Sequence, residues 1–316
     1  MDHFLGHNLA VMAPNVTDKR FTDPSNPAFL GFGSVALASA LIVVNALVSV
    51  VLHLDLAGQL LVAALRCVLQ LLALGYILGP IFAYNTWWLV LSYSFIMLLV
   101  GNYEACARPA YSYTGMFLQT LTCLGSSAGV FLVYAMLIII QIHPWYQPQY
   151  FIPVLGMLLG NAISGISVGL STVLEELSSG RERVELLLAM GASRMEATTE
   201  IVQRAARVAL TPILNQMSVV GLVSIPGMMT GQILSGSDPS QAARYQMIVM
   251  FAIAATTATS SVSAISLATF WIVDNKHRVR AGPAAEKAEG PWPLVVAVSA
   301  YGPSGAEGLA EVQEPV

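Results

Sequence analysis

Long apolar runs alternate with short polar breaks along most of this chain. A membrane span needs about 20 mostly apolar residues. Seven runs approach or exceed that length: about Gly33–Leu54, Gly58–Ala83, Trp87–Tyr103, Met116–Ile142, Phe151–Leu174, Val208–Leu234 and Tyr245–Val273. The runs are continuous rather than alternating, which predicts helices and not the strands of a barrel. The expected fold class is all-α, a polytopic membrane protein of about seven transmembrane helices. The third run is the shortest, and Trp87 and Trp88 open it as interfacial anchors. Trp145 and Tyr146 do the same before the fifth.

One polar stretch interrupts this pattern, Glu175–Leu210, between two predicted spans. It carries Arg181, Arg183, Arg194, Arg204 and Arg207, five of the chain's fourteen basic residues. Leu174, Leu177, Val184, Leu187 and Leu188 form an apolar stripe at helical spacing on a helix that ends near Gly191. Gly191-Ala192 is the expected corner. Ser193 and Glu196 then fit the S-x-x-E capping box that starts a second helix. A helical hairpin over 175–207 would present a compact knob to the cytoplasm as a docking platform. The bland alternative is a solvated loop, but a plain loop needs neither caps nor a stripe.

Composition supports a membrane protein. The chain is 56% hydrophobic and 10% charged, with mean hydropathy +0.68. Soluble domains carry roughly 25% charged residues. Net charge is −4, so no basic surface suggests nucleic acid as a partner; the lipid bilayer is the partner that composition implies. Cys67, Cys106 and Cys123 show no paired spacing and read as small buried hydrophobes. The basic residues set the orientation. Arg108, the hairpin arginines and Lys276, Arg278, Arg280 and Lys287 fall on one side, against Lys19, Arg20 and Arg244 on the other. Residues 1–32 are expected outside, without a signal peptide. Residues 33–273 form the transmembrane part, and 274–316 a disordered cytoplasmic tail. The sequon Asn15-Val16-Thr17 falls on the outer tail. The tail patch Pro293–Ala300 is too short to span.

Several polar groups lie inside spans. An Arg at the centre of a span costs about 2.5–3.5 kcal/mol even on permissive insertion scales, so Arg66, one turn before Gln70, needs a partner, water or a substrate. Structural pairing and a pathway role both remain open for it. Asn161 is either an interhelical hydrogen bond or a pathway group. Glu104 and Arg108 have the i,i+4 spacing of a local ion pair. Pro226, Gly227, Met228, Met229, Thr230 and Gly231 predict a broken or kinked sixth span. Its freed carbonyls and the Met228 and Met229 thioethers are either metal contacts or packing. Small residues four apart recur at Gly75/Gly79, Gly125/Gly129, Gly156/Gly160/Ser164, Gly165/Gly169 and Gly227/Gly231, and permit close helix approach. The last span adds Thr256, Thr257, Thr259, Ser260, Ser261 and Ser263, a face expected against protein or a water-filled path.

Two patterns carry no chemistry. Gly165–Gly169 matches G-x-S-x-G, but within an apolar helix rather than a strand–turn–helix elbow. His3 and His7 are four apart on the N-terminal tail. Neither H-E-x-x-H nor G-x-x-x-x-G-K-[ST] occurs. No catalytic residue and no cofactor is expected, no metal ligand is assigned, and any ATP is bound by another chain.

Tyr150-Phe151-Ile152-Pro153, Gly156–Asn161, Leu187–Ala192 and Ile225–Leu234, followed by Gly236, Asp238, Pro239 and Tyr245-Gln246, resemble the FetB-type permease family. That family includes bacterial iron exporters and plant aluminium-tolerance proteins. The resemblance covers about Gly33–Val273. It implies the membrane subunit of an ABC-type exporter of metal ions, iron in the bacterial case, working as a homodimer with a separate cytoplasmic ATP-binding subunit. A plant branch is associated with nucleotide-sugar export. The hairpin is similar to the coupling segment E-A-A-x-x-x-G, with Glu185 and Gly191 at its ends and Leu186 and Leu187 in place of the alanines. Glu185, Ala189, Gly191, Ala192, Ser193 and Glu196 are therefore the expected coupling residues. Arg66, Gln70, Asn161 and Pro226–Gly231 are the expected pathway. An ATP-independent carrier and a non-transporting scaffold are the rival expectations.

Overall fold

The computed structural model describes residues 32–53, 57–273 and 285–286. Their elements run α1 (Phe32–Val51), α2 (Ala57–Tyr84), α3 (Trp87–Ala107), β1 (Tyr111–Ser112), α4 (Met116–Val133), α5 (Pro148–Ser179), α6 (Arg181–Ala189), α7 (Arg194–Val219), α8 (Gly227–Leu234), α9 (Pro239–Ile272) and β2 (Ala285–Glu286). A π-helical stretch, Tyr134–Ile140, prolongs α4. Among the described residues, six helices are long and apolar enough to cross a membrane: α1, α2, α3, α4 with its extension, α5 and α9. The protein is an all-α polytopic membrane protein, and the two-residue strands β1 and β2 pair antiparallel at its margin. The N-terminal tail with His3, His7 and the Asn15 sequon lies outside the described residues. So does the C-terminal tail, apart from Ala285 and Glu286.

The described residues form two compact units, one of those up to 86 with 230–242, the other of 87–229 with those from 243 on. In the first, α1 packs against α2. Among the residues of α1 and α2 whose burial is described, Ala46, Ser49 and Ile81 are buried and the rest are half-buried or exposed. The remaining apolar surface is what a bilayer covers, since lipid solvates such side chains as well as a core does. Gly75 and Gly79 have open space where a side chain would stand.

The second unit is built around α5. Leu158, Ile166, Leu170, Val173 and Leu174 are fully buried there, with α3, α4 and α7 packed on the helix. Pro148 opens α5, where its missing N–H costs nothing. The Gly165–Gly169 run is helical throughout and Ser167 is buried, so no nucleophile elbow exists.

The predicted span Val208–Leu234 is not one helix. Helix α7 runs straight out of the hairpin and stops at Val219, and α8 begins only at Gly227. Between them Gly221 adopts a left-handed conformation, φ +85°, which glycine reaches at little cost. Its N–H donates to the Ser224 carbonyl at 2.9 Å. The expected break is real but lies before Pro226, not across Gly227–Gly231. Neither of those glycines has any atom within 4 Å of where a Cβ would stand, so close helix approach is not their role within this chain.

Candidate functional site

The hairpin is the best-defined surface feature. Helix α5 carries the chain to Ser179, and the Gly180 N–H closes it on the Glu176 carbonyl at 2.9 Å. The predicted single helix into the corner is thus two, α5 and α6, because the chain re-aims at Gly180. Leu174, Leu177, Val184 and Leu188 are buried as the stripe requires, and Leu187 is half-buried.

Helix α6 ends in a Schellman motif. The Gly191 N–H donates to the Leu188 carbonyl (3.1 Å) and the Ala192 N–H to the Leu187 carbonyl (3.0 Å), with Gly191 at φ +94°. The next helix starts with the predicted capping box. The Ser193 hydroxyl accepts from the Glu196 N–H (3.3 Å), and the Ser193 N–H donates to Glu196 Oε2 (2.8 Å). These bonds hold the Glu196 carboxyl below its ordinary range, the Ser193 N–H contributing most and its hydroxyl next.

Ion pairs brace the corner. Arg183 reaches Glu200 across α6 and α7 (2.7 Å), and Arg204 reaches Glu176 on α5 (3.4 Å) and Glu200 (3.6 Å). Arg181 pairs with Glu185 within α6 (2.7 Å). All are exposed except for the half-buried Glu176, and each such surface pair contributes about 0–1 kcal/mol. They fix geometry more than stability. Glu176, Arg183, Val184, Glu196, Glu200 and Arg204 also line a cavity of about 180 Å³.

Two features of the hairpin escaped sequence reasoning. First, Leu186, Met190 and Met195 are exposed at 61%, 72% and 64%. Two of the three are flexible thioethers, suited to an adaptable protein contact. Helical spacing put Leu186 beside the stripe, but only the corner geometry brings Met190 and Met195 to the same tip. Second, Arg194 donates to the Val273 carbonyl at the end of α9 (3.3 Å) and lies 5.0 Å from the centre of the Phe270 ring. A cation at a helix C-terminus is favoured by the exposed carbonyls there. The hairpin is thereby clasped to the last membrane helix. Tyr113, in the turn after β1, stacks at a tilt on Trp271 (5.3 Å) and donates to Gln119 (2.8 Å). Burial pushes its hydroxyl above the tyrosine range. The turn after α3, the hairpin and the end of α9 therefore meet at one end of this unit.

Among the coupling residues, Glu185, Ala189, Gly191, Ser193 and Glu196 are exposed and Ala192 is half-buried, all within one corner. The expected pathway residues are dispersed. Arg66 and Gln70 are exposed on α2. Asn161 Nδ2 donates to the Met157 carbonyl one turn back on its own helix (2.9 Å). Pro226, Met228 and Met229 are half-buried, and Gly227, Thr230 and Gly231 are exposed. Among the described residues, no three His, Cys, Asp or Glu side chains cluster as metal ligands, and the three cysteines form no disulfide.

Six apolar helices with a capped surface hairpin define a membrane protein that offers a polar knob to one compartment. The chain belongs to the family described as Uncharacterised protein family (UPF0014), whose model matches residues 32–271. It is 37% identical to the UPF0014 membrane protein slr1647 of Synechocystis over 71% of this chain and 86% of that one. It is 34% identical to Protein ALUMINUM SENSITIVE 3 of Arabidopsis thaliana over 74% and 85%. With the probable iron export permease protein FetB of Escherichia coli, identity is 29% over 78% and 93%. No solved structure matches the chain.

Proposed function

We propose that this chain is the membrane subunit of an ABC-type exporter of metal ions, iron first, driven by a separate cytoplasmic ATP-binding subunit. The observation that carries this is the hairpin. Its corner is locked by a Schellman motif and a capping box, its tip exposes Leu186, Met190 and Met195, and its base is tied to the long helices α5 and α9. A rigid knob with an apolar tip suits force transfer from another protein better than it suits a solvated loop. The relative named as a probable iron export permease supports metal export as the task.

In this mechanism the ATP-binding subunit closes on ATP and pushes the hairpin. Helix α7 and the Arg194 clasp relay the push to α5 and α9. The break between α7 and α8 lets the membrane part swing between inward and outward access, as interrupted helices do in other transporters. The working unit is a homodimer. The hairpin and C-terminus face the cytoplasm and the N-terminus faces outside. The Arg108 turn, the arginine-rich hairpin and the α9 end support this, since they share one end of the second unit.

The test is transport in sealed vesicles, with and without the ATP-binding subunit and Mg-ATP, offering iron and a nucleotide sugar in separate arms. Iron movement only with subunit and ATP is expected. Movement without ATP would make the protein a carrier or channel. No movement of either solute in any arm would leave a scaffold.

A further inference from the structure

The last helix holds polar atoms that its own backbone does not satisfy. Hydroxyl-bearing residues in a membrane helix ordinarily donate to the carbonyl one turn back. On α9, Thr256 does so to Ala252 (2.7 Å), Ser263 to Thr259 (2.7 Å) and Thr269 to Ile265 (2.9 Å). Thr257 and Ser261 do not. Both are buried, at 2% and 0% exposure, and neither hydroxyl oxygen has a hydrogen-bond partner. A buried hydroxyl left unpaired is costly, so its retention calls for a reason.

Both side chains are aimed at α5. A Cβ placed on Gly165 would stand 2.5 Å from Ser261 Oγ, 2.8 Å from Thr257 Cγ2 and 3.5 Å from the Ala209 carbonyl of α7. No water fits a gap that a single carbon overfills. The three helices meeting here are α5, the core of the unit, α7, which comes straight from the hairpin, and α9, which the hairpin clasps. The oxygens nearest the Gly165 position are the Ser261 hydroxyl and the Ala209 carbonyl, with Thr257 presenting its methyl there; the Thr257 hydroxyl is buried and unpaired on the same helix as Ser261. Neutral oxygens lack the charge that carboxylates supply for direct binding of multivalent cations. They match hydroxyl groups or the water carried by a hydrated ion.

We propose that Thr257 and Ser261 line the substrate route, shut in this structure where α9 closes on Gly165, and hold the passing solute through its hydrogen-bonding shell. This rests on the transporter function above and locates the route within it. Opening the seam gives both hydroxyls their missing partners. The energy stored in the closed seam is released to water or solute as α7 and α9 move.

The test places a cysteine at Ser261 in the full chain, with Cys67, Cys106 and Cys123 replaced by alanine. Cysteine is close to serine in size, so the seam can still pack. A charged, membrane-impermeant thiosulfonate is applied to both faces of vesicles, with and without Mg-ATP. Val262, the next residue on α9 and 39% exposed, supplies the control V262C, whose thiol is kept un-ionised by lipid. If the seam opens even as a minor state, S261C reacts at least about tenfold faster than V262C. Equal, slow labelling of the two in both conditions would overturn the assignment. Protection by ferrous iron identifies a hydrated ion as the solute, and protection by UDP-glucose a hydroxylated one. Rapid labelling slowed by neither would overturn the holding role. As a second variant, T257A/S261A raises the melting temperature, because it removes two unpaired hydroxyls, and slows transport. A raised melting temperature with unchanged transport would also overturn it. ATP-driven transport beside an unreactive S261C leaves the exporter standing and removes this route. A reactive S261C without ATP-driven transport does the reverse.

Discussion

Two pairs of glycines four residues apart look alike in the sequence and occupy opposite environments. Gly165 and Gly169 of α5 lie in a seam so tight that added carbons would meet Ser261 and Ile265 at 2.5 and 2.6 Å. Gly227 and Gly231 of α8 face open space. The first pair is a packing requirement and the second is not, although small residues at this spacing license both expectations. Which pair is used depends on what stands opposite, and that is a property of the helix pairing, not of the row.

The sharpest test replaces one glycine from each pair. Gly165→Val overfills a junction of three helices and should cost about 1–3 kcal/mol, lowering the melting temperature in detergent and, if the route runs there, abolishing transport. Gly227→Val should stay within about 0.5 kcal/mol, as surface substitutions do. Equal losses would break the comparison. Within the tight pair, Gly169→Ala should cost less than Gly165→Ala, because it meets the far end of a flexible Ile265 side chain.

A third glycine extends the comparison to backbone conformation. Gly191 has no atom near its Cβ position, yet its φ is +94°. Gly191→Val should therefore cost about 1–2 kcal/mol through the left-handed backbone alone. The damage should stay in the hairpin, seen as faster amide exchange over 181–200 and lost co-purification of the ATP-binding subunit, with the membrane helices intact. Normal binding and transport in this variant would remove the hairpin from coupling.

Smaller effects separate the lock from the clasp. Ser193→Ala removes the cap and should cost about 1 kcal/mol, again confined to the hairpin. Arg194→Ala should cost about 0.5–1 kcal/mol at this half-exposed site. It should slow transport while leaving the ATP-binding subunit attached, because the knob survives and its tie to α9 does not. Loss of attachment would show that Arg194 shapes the docking surface instead. The smallest effect is one of pH. The Glu196 carboxyl titrates below its ordinary value of 4.5 in the folded hairpin, so its contribution is complete above that value and is lost as pH falls through the lower, folded one. Amide protection near Ser193, measured relative to the intrinsic exchange rate, should fall only in that acid range, and Glu196→Gln should abolish that change in protection.

Much of this site was legible because its signals are local. The capping box needs only Ser193 and Glu196 three apart, and the corner needs only a glycine after a stripe of leucines. Both stand where spacing put them. The break in the sixth run was legible as an event but not in position, because proline is a stronger local cue than Gly221, whose left-handed turn ends α7 seven residues earlier than expected. The tip residues Met190 and Met195 and the Arg194 clasp were illegible. They depend on the angle between α6 and α7 and on the far end of α9, 79 residues further along the chain.

The sequence by itself determined that this is a helical membrane protein, since only helices satisfy backbone groups across such continuous apolar runs. It also determined the hairpin and both of its caps, because side-chain spacing within one turn decides them. Tertiary structure alone decided which glycines are pressed against a neighbour, which hydroxyls of α9 lack a partner, and that the hairpin grips the last helix. Those outcomes depend on helices distant in sequence meeting at one depth, and a residue's own neighbours in the chain carry no record of that meeting.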